Sequence, residues 1–166
     1  MIRRILVGSD GSAHAQRAVV FAAELAHQLR AEVLLVHAAG DVAPARASAS
    51  EYLMHVAQNG LYPEESVERV ARTEWVRPLI AARVPWGVDV RYGWAADVLT
   101  RVADEVGAQV IVIGAGSRGP SADGTAGSVR QAMSLRSSVP LIVVPDDAPA
   151  VELHAVEQHA AATCPG

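Results

Sequence analysis

The chain contains no lysine: all 14 of its basic residues are arginine. That excludes the P-loop, whose G-x-x-x-x-G-K-[ST] pattern needs a lysine to reach the β- and γ-phosphates. Any phosphate site in this chain must use backbone amides, hydroxyls or arginine. Cysteine is nearly as scarce. Cys164 stands alone near the end of the 166 residues, so no internal disulfide can form, which suits a reducing compartment. Basic charge is not in excess. A net charge of −4 gives no general pull toward nucleic acid, and no nucleic-acid partner is expected. Long apolar runs are missing too. None approaches the length of a membrane span, and Met1–Val7 is too short for a signal peptide. The expectation is a cytoplasmic protein with no membrane association.

What is present is the composition of a packed domain. Hydrophobic residues make up 51% and charged residues 19%, a globular balance, and the length fits one domain with a full core. Ile2–Val7 reads as a buried strand ending in Gly8-Ser9-Asp10-Gly11-Ser12. Ser12 can cap a helix running to about Arg30, with Ala15, Val19, Ala22, Ala26 and Leu29 at helical spacing. Val33–His37 is a second strand. Residues 39–61 read as a variable loop rich in small residues. Pro63 followed by Glu64 and Glu65 predicts a helix start, and the helix continues to about Arg83. Pro78 should bend that helix or cost it a hydrogen bond.

Val88–Tyr92 is a third strand, polar enough to lie at an edge. A helix over Ala96–Val106 presents Val98, Leu99, Val102 and Val106 on one face. Gln109–Ile113 and Val139–Val144 are the fourth and fifth strands, with a helix over Gly127–Ser137 between them. Alternating strands and helices predict a doubly wound α/β domain with parallel strands. Residues 1–147 form that domain, and 148–166 are an alanine-rich tail.

The segment from Val110 to Ser128, V-I-V-I-G-A-G-S-R-G-P-S-A-D-G-T-A-G-S, carries the functional signal. A buried strand running into a glycine-rich loop lets backbone N–H groups approach phosphate oxygens. Gly114-Ala115-Gly116-Ser117-Arg118-Gly119 fits the dinucleotide fingerprint G-x-G-x-x-G. Against it, Pro120, Gly124 and Gly127 would burden the first turns of the helix that fingerprint requires. Asp146 lies beyond the usual spacing of about 20 residues, and only one strand follows. The other reading treats residues 114–127 as one long loop. The helix then starts at Gly127-Ser128, and its N-terminal amides and dipole face the phosphates.

Four pieces together resemble the universal stress protein family. They are G-S-D-G-S after the first strand, L-L-V-H-A after the first helix, G-W-A-A-D-V-L before the third, and the glycine loop before G-S-V. The resemblance covers roughly residues 2–145. It implies a five-stranded parallel sheet with helices on both faces, Rossmann-like, in the strand order 3-2-1-4-5. It also implies a homodimer, through the fifth strand, Val139–Val144. The family divides into ATP-binding and non-binding branches, and its ATP signature is G-x2-G-x9-G-[ST]. Here Gly114 opens the signature and Gly127-Ser128 closes it, with Ser117 in place of the second glycine.

By that resemblance the chain binds ATP or AMP as a stress-response regulator. Asp10 would hold a ribose hydroxyl, with Gly8 and Ser9 lining the nucleoside and the backbone at Ala38 reading adenine. Ile113, Gly114, Ser117 and Gly127 would form the phosphate loop, with Ser128, Val129 and Arg130 opening the helix behind it. Other readings stand beside these. Asp10 or Ser12 can simply cap the first helix, and Ser128 can be an N-cap. Arg118 and Arg130 are phosphate clamps or solvated side chains. Asp123 is a Mg²⁺ ligand or a turn residue. His37 reads as a packed core or rim residue, and Trp75, Trp86 and Trp94 as core or dimer-surface aromatics. His154, His159 and Cys164 match no standard metal spacing. No paired carboxylates or nucleophile–base set is evident, so no enzymatic role is expected and any ATP hydrolysis would be slow and incidental. The alternatives are a non-binding family member acting by protein contacts and an NAD-dependent oxidoreductase.

Overall fold

Five parallel strands form one sheet in the order β3-β2-β1-β4-β5. The computed structural model describes residues 1–39, 63–115 and 129–146. Its strands are β1 (Arg4–Gly8), β2 (Glu32–Ala39), β3 (Trp86–Tyr92), β4 (Val110–Gly114) and β5 (Leu141–Val144). The helices are α1 (Ala13–Leu29), α2 (Pro63–Val70), α3 (Arg77–Ala81), α4 (Ala95–Val106) and α5 (Val129–Arg136). The strand order and parallel pairing are those implied by the family resemblance. The loop expected over residues 39–61 and the tail lie, apart from Ala39, outside the described residues.

Side chains of successive strand residues point to opposite faces, and both faces are buried. Ile5, Val7, Val33, Leu35, Val110 and Val112 pack on one side against α1 and the Ala71–Val84 segment. Leu6, Val36, Ile111 and Ile113 pack on the other side against α4 and α5. This is why these strands read as continuous apolar runs. β3 carries no fully buried residue and lies at one edge, as its polarity predicted.

The sequence periodicity of α1 holds except at its end. Ala15, Val19, Ala22 and Ala26 are buried, whereas Leu29, the last helical residue, is 38% exposed. Ser12 caps α1, its hydroxyl accepting from the Ala15 amide at 3.2 Å.

The helix predicted from Pro63 to about Arg83 is broken in a particular way. Residues Ala71–Trp75 form a π-helical turn, and the Val76 amide donates to the Ala71 carbonyl at 3.2 Å. A new helix, α3, then starts with Pro78 in its first turn. There the missing proline N–H has no helical acceptor to lose, so Pro78 is accommodated by a change of helical register.

Candidate functional site

In a doubly wound sheet, ligands bind beyond the carboxyl ends of the strands, where the strand order reverses. In this chain that point lies between β1 and β4. They pair in register from Ile5–Val110 to Val7–Val112, so Gly8 and Gly114 lie together at the carboxyl end of the sheet. The residues after β1 and after β4 therefore meet in one crevice, with the first turn of α1 beside them.

Gly8 ends β1. A Cβ there would lie 3.0 Å from Leu99 Cδ1 and 3.3 Å from Ile113 Cγ2. Ser9 is buried, and its amide donates to the Val36 carbonyl at 3.0 Å, carrying the β1–β2 ladder one residue beyond the strand. Its hydroxyl accepts from the Gly11 amide at 3.3 Å. Asp10 is exposed, and its Oδ1 accepts from the Ser12 amide at 2.9 Å.

The capping roles are thus divided. Ser12 is the N-cap of α1, and Asp10 closes the turn that precedes it. Partial desolvation alone would raise the Asp10 pKa. Hydrogen bonds from Ser12 and from its own amide, together with the nearby His37, outweigh that and hold it below the ordinary carboxylate value. Asp10 is therefore an ionised, outward-facing acceptor at neutral pH.

Gly114 ends β4 in close contact with α1. A Cβ there would lie 2.6 Å from the carbonyl carbon of His14 and 3.1 Å from the Ala15 nitrogen. Ala115 continues the ladder, its amide donating to Val144 at 2.8 Å. Ile113 is buried, and its side chain belongs to the core. Ala38 lies near the end of β2, opposite Arg91 of β3. Val129 opens α5 and packs on the core, and Arg130 beside it is exposed. Ser117, Gly127, Ser128, Arg118 and Asp123 lie outside the described residues.

Three features of this region were not read from the sequence as functional. His37 binds the Ser9 carbonyl through Nδ1 at 2.8 Å. Trp75 stands edge-on to His37, with ring centroids 5.4 Å apart at 62°. His14 Nδ1 and Asp146 Oδ1 pair across the end of the sheet, with Arg17 at 3.6 Å from the same oxygen. Asp146, weighed as the ribose acid of a dinucleotide fingerprint, is instead engaged with α1. Among the described residues no group of three or more His, Cys, Asp or Glu side chains gathers to hold a metal ion. Among them, too, no helix is long and apolar enough to cross a membrane.

The comparisons with known proteins agree with this architecture. The Universal stress protein family model matches residues 1–145. No curated protein matches the chain significantly. Among solved structures, a universal stress protein in complex with cAMP is 25% identical. It superposes with a TM-score of 0.62, the match covering 86% of this chain and 97% of that one. The Archaeoglobus fulgidus universal stress protein in complex with dAMP is 22% identical, with a TM-score of 0.58 and coverage of 87% and 98%. The Lactobacillus plantarum universal stress protein is 19% identical, with a TM-score of 0.68 and coverage of 86% and 97%. By the family match over most of its length and by its strand order, the chain belongs to the universal stress protein family.

Proposed function

We propose that the chain binds an adenine nucleotide, ATP or AMP, in the crevice between the ends of β1 and β4, and acts as a cytoplasmic stress-response regulator rather than an enzyme. The observation that carries this is the convergence of the Asp10 turn with the end of β4. An ionised, outward-facing carboxylate and the start of a glycine-rich loop share the switch point of the sheet. Asp10 takes the ribose hydroxyls, and Gly8 and Ser9 line the nucleoside. The backbone at Ala38 reads adenine. Ile113 and Gly114 lead into the phosphate loop with Ser117 and Gly127, and Ser128, Val129 and Arg130 start the helix behind it. With no lysine in the chain, backbone amides and arginine carry the phosphate contacts. Asp123 is the candidate for a Mg²⁺ ion. The relative crystallised with cAMP supports an adenine ligand in a protein of this family.

Signalling then runs through nucleotide-dependent contacts of a homodimer. β5 is the edge strand on one side of the sheet and its Leu141, Ile142 and Val143 are only partly buried, so a second copy pairing there would complete both edges. Sedimentation at twice the 17.4 kDa chain mass supports this dimer, and a monomer at working concentration contradicts it.

One observation favours a second reading, a contact-only member that binds no nucleotide. Gly114 meets the His14 backbone too closely to admit a side chain, so glycine at this position needs no ligand to explain it. Thermal unfolding with millimolar ATP and AMP separates the two. Binding raises the midpoint in wild type and not in Gly127→Val, whose fold should be intact. No shift with either nucleotide supports the contact-only reading.

A further inference from the structure

The Ser9–Asp10–Gly11 turn is held by bonds of two kinds. Some are local: Gly11 N to Ser9 Oγ at 3.3 Å, and Ser12 N to Asp10 Oδ1 at 2.9 Å. The others come from elements distant in sequence. Val36 anchors the Ser9 amide, and His37 reaches back from β2 to the Ser9 carbonyl at 2.8 Å. A carbonyl oxygen only accepts, so the His37 Nδ1 carries the proton in this bond.

Trp75 supplies a third anchor. Gly11 has φ +78°, and a Cβ there would lie 2.5 Å from Trp75 Cζ2 and 2.8 Å from Cε2. The indole therefore sits directly over the Gly11 backbone, and its ring also meets His37 edge-on. Trp75 is the last residue of the π-helical turn Ala71–Trp75. An extra residue in one helical turn re-aims the side chains that follow by about 100°, one residue's step in a helix of 3.6 residues per turn.

We propose that Trp75 and His37 are positioning residues that clamp the Ser9–Gly11 turn from outside and fix the Asp10 carboxylate at the mouth of the crevice. The clamp stands without a ligand; its consequence for recognition rests on the nucleotide function proposed above. A fixed carboxylate that hydrogen-bonds a ribose hydroxyl discriminates against a sugar lacking it, because the acceptor is left unpaired. A loose turn lets Asp10 swing back to water, and that discrimination fades.

The test uses the full chain with Trp75→Leu, His37→Leu and the conservative Trp75→Phe. Amide hydrogen exchange of Gly11 and Ser12 is read against Val19 and Ala22 in α1. In both leucine variants the Gly11 and Ser12 amides should exchange roughly three- to tenfold faster, the α1 amides staying at wild-type rates, and Trp75→Phe should remain near wild type. Wild-type rates at Gly11 and Ser12 in both leucine variants, or a uniform rise through α1, would overturn the clamp. Should Trp75→Leu fail to fold, His37→Leu alone decides the matter by the same readout. A second arm compares affinity for ATP and 2′-deoxy-ATP. The wild-type preference for ATP should shrink toward one in the leucine variants, and an unchanged preference contradicts the proposal. If wild type binds neither nucleotide, the nucleotide function fails while the exchange rates still decide the clamp.

Discussion

The carbonyl of His14 and the Cα of Gly114 lie so close that a Cβ on Gly114 would meet the His14 carbonyl carbon at 2.6 Å. Helix α1 and the end of β4 are therefore in backbone contact at the switch point, and no flexible side chain can move aside to relieve a clash. Gly114→Ala should cost about 1–3 kcal/mol through overpacking. A lower urea midpoint with an unchanged m-value supports this, and wild-type stability contradicts it.

Gly11 carries two independent constraints, a left-handed φ and the indole of Trp75. Gly11→Ala should cost about 1–2 kcal/mol for the backbone alone, with the Trp75 contact adding to that. A double-mutant cycle with Trp75→Leu separates the two. The alanine should cost less in the leucine background. Equal cost in both backgrounds means that the ring does not press on Gly11.

Acid should weaken the protein partly through Asp10. Its folded pKa lies below the ordinary carboxylate value, so the ionised form is the better bound in the folded state. Its stabilisation is then fully present above the unfolded pKa and is lost as pH falls through the folded one. The stability gap between wild type and Asp10→Asn should be level near neutrality and close under acid. Parallel curves through the acid range would contradict the shift. Asp10 is exposed, so the gap is small.

His14, Arg17 and Asp146 tie the end of β5 to the first turns of α1. Their side chains are partly exposed. Asp146→Ala should therefore cost only about 0.2–1 kcal/mol. The cost should shrink at high salt because the charges are screened. A loss well above this range, or one insensitive to salt, would mean the pair acts through packing.

Much of the fold was legible because it rests on local pattern. The apolar runs of β1, β2 and β4 are continuous because both faces of the sheet are covered. Ser12 announced the start of α1 and the polarity of β3 its edge position. What the sequence hid depends on contacts between distant segments. Pro78 promised a disturbed helix, but the relief comes from a π turn upstream of it. Leu29 fitted the apolar stripe of α1, yet it ends the helix beyond the covering core and is exposed. Gly114 was read for phosphate access, and the approach of His14 gives it a packing role that no local pattern encodes. Likewise Trp75 and His37 read as packed residues, and nothing near either in sequence points to Gly11 or Ser9.

The central claim, an adenine nucleotide held at the β1–β4 crevice with Asp10 on its ribose, is tested most directly by titrating ATP into the wild-type chain and into Asp10→Ala by calorimetry. Saturable heat with one site per chain in wild type, weakened at least about tenfold in Asp10→Ala as a charge-assisted hydrogen bond is lost, is the result predicted. No heat in wild type at millimolar ATP or AMP, or equal affinity in the two proteins, would contradict it.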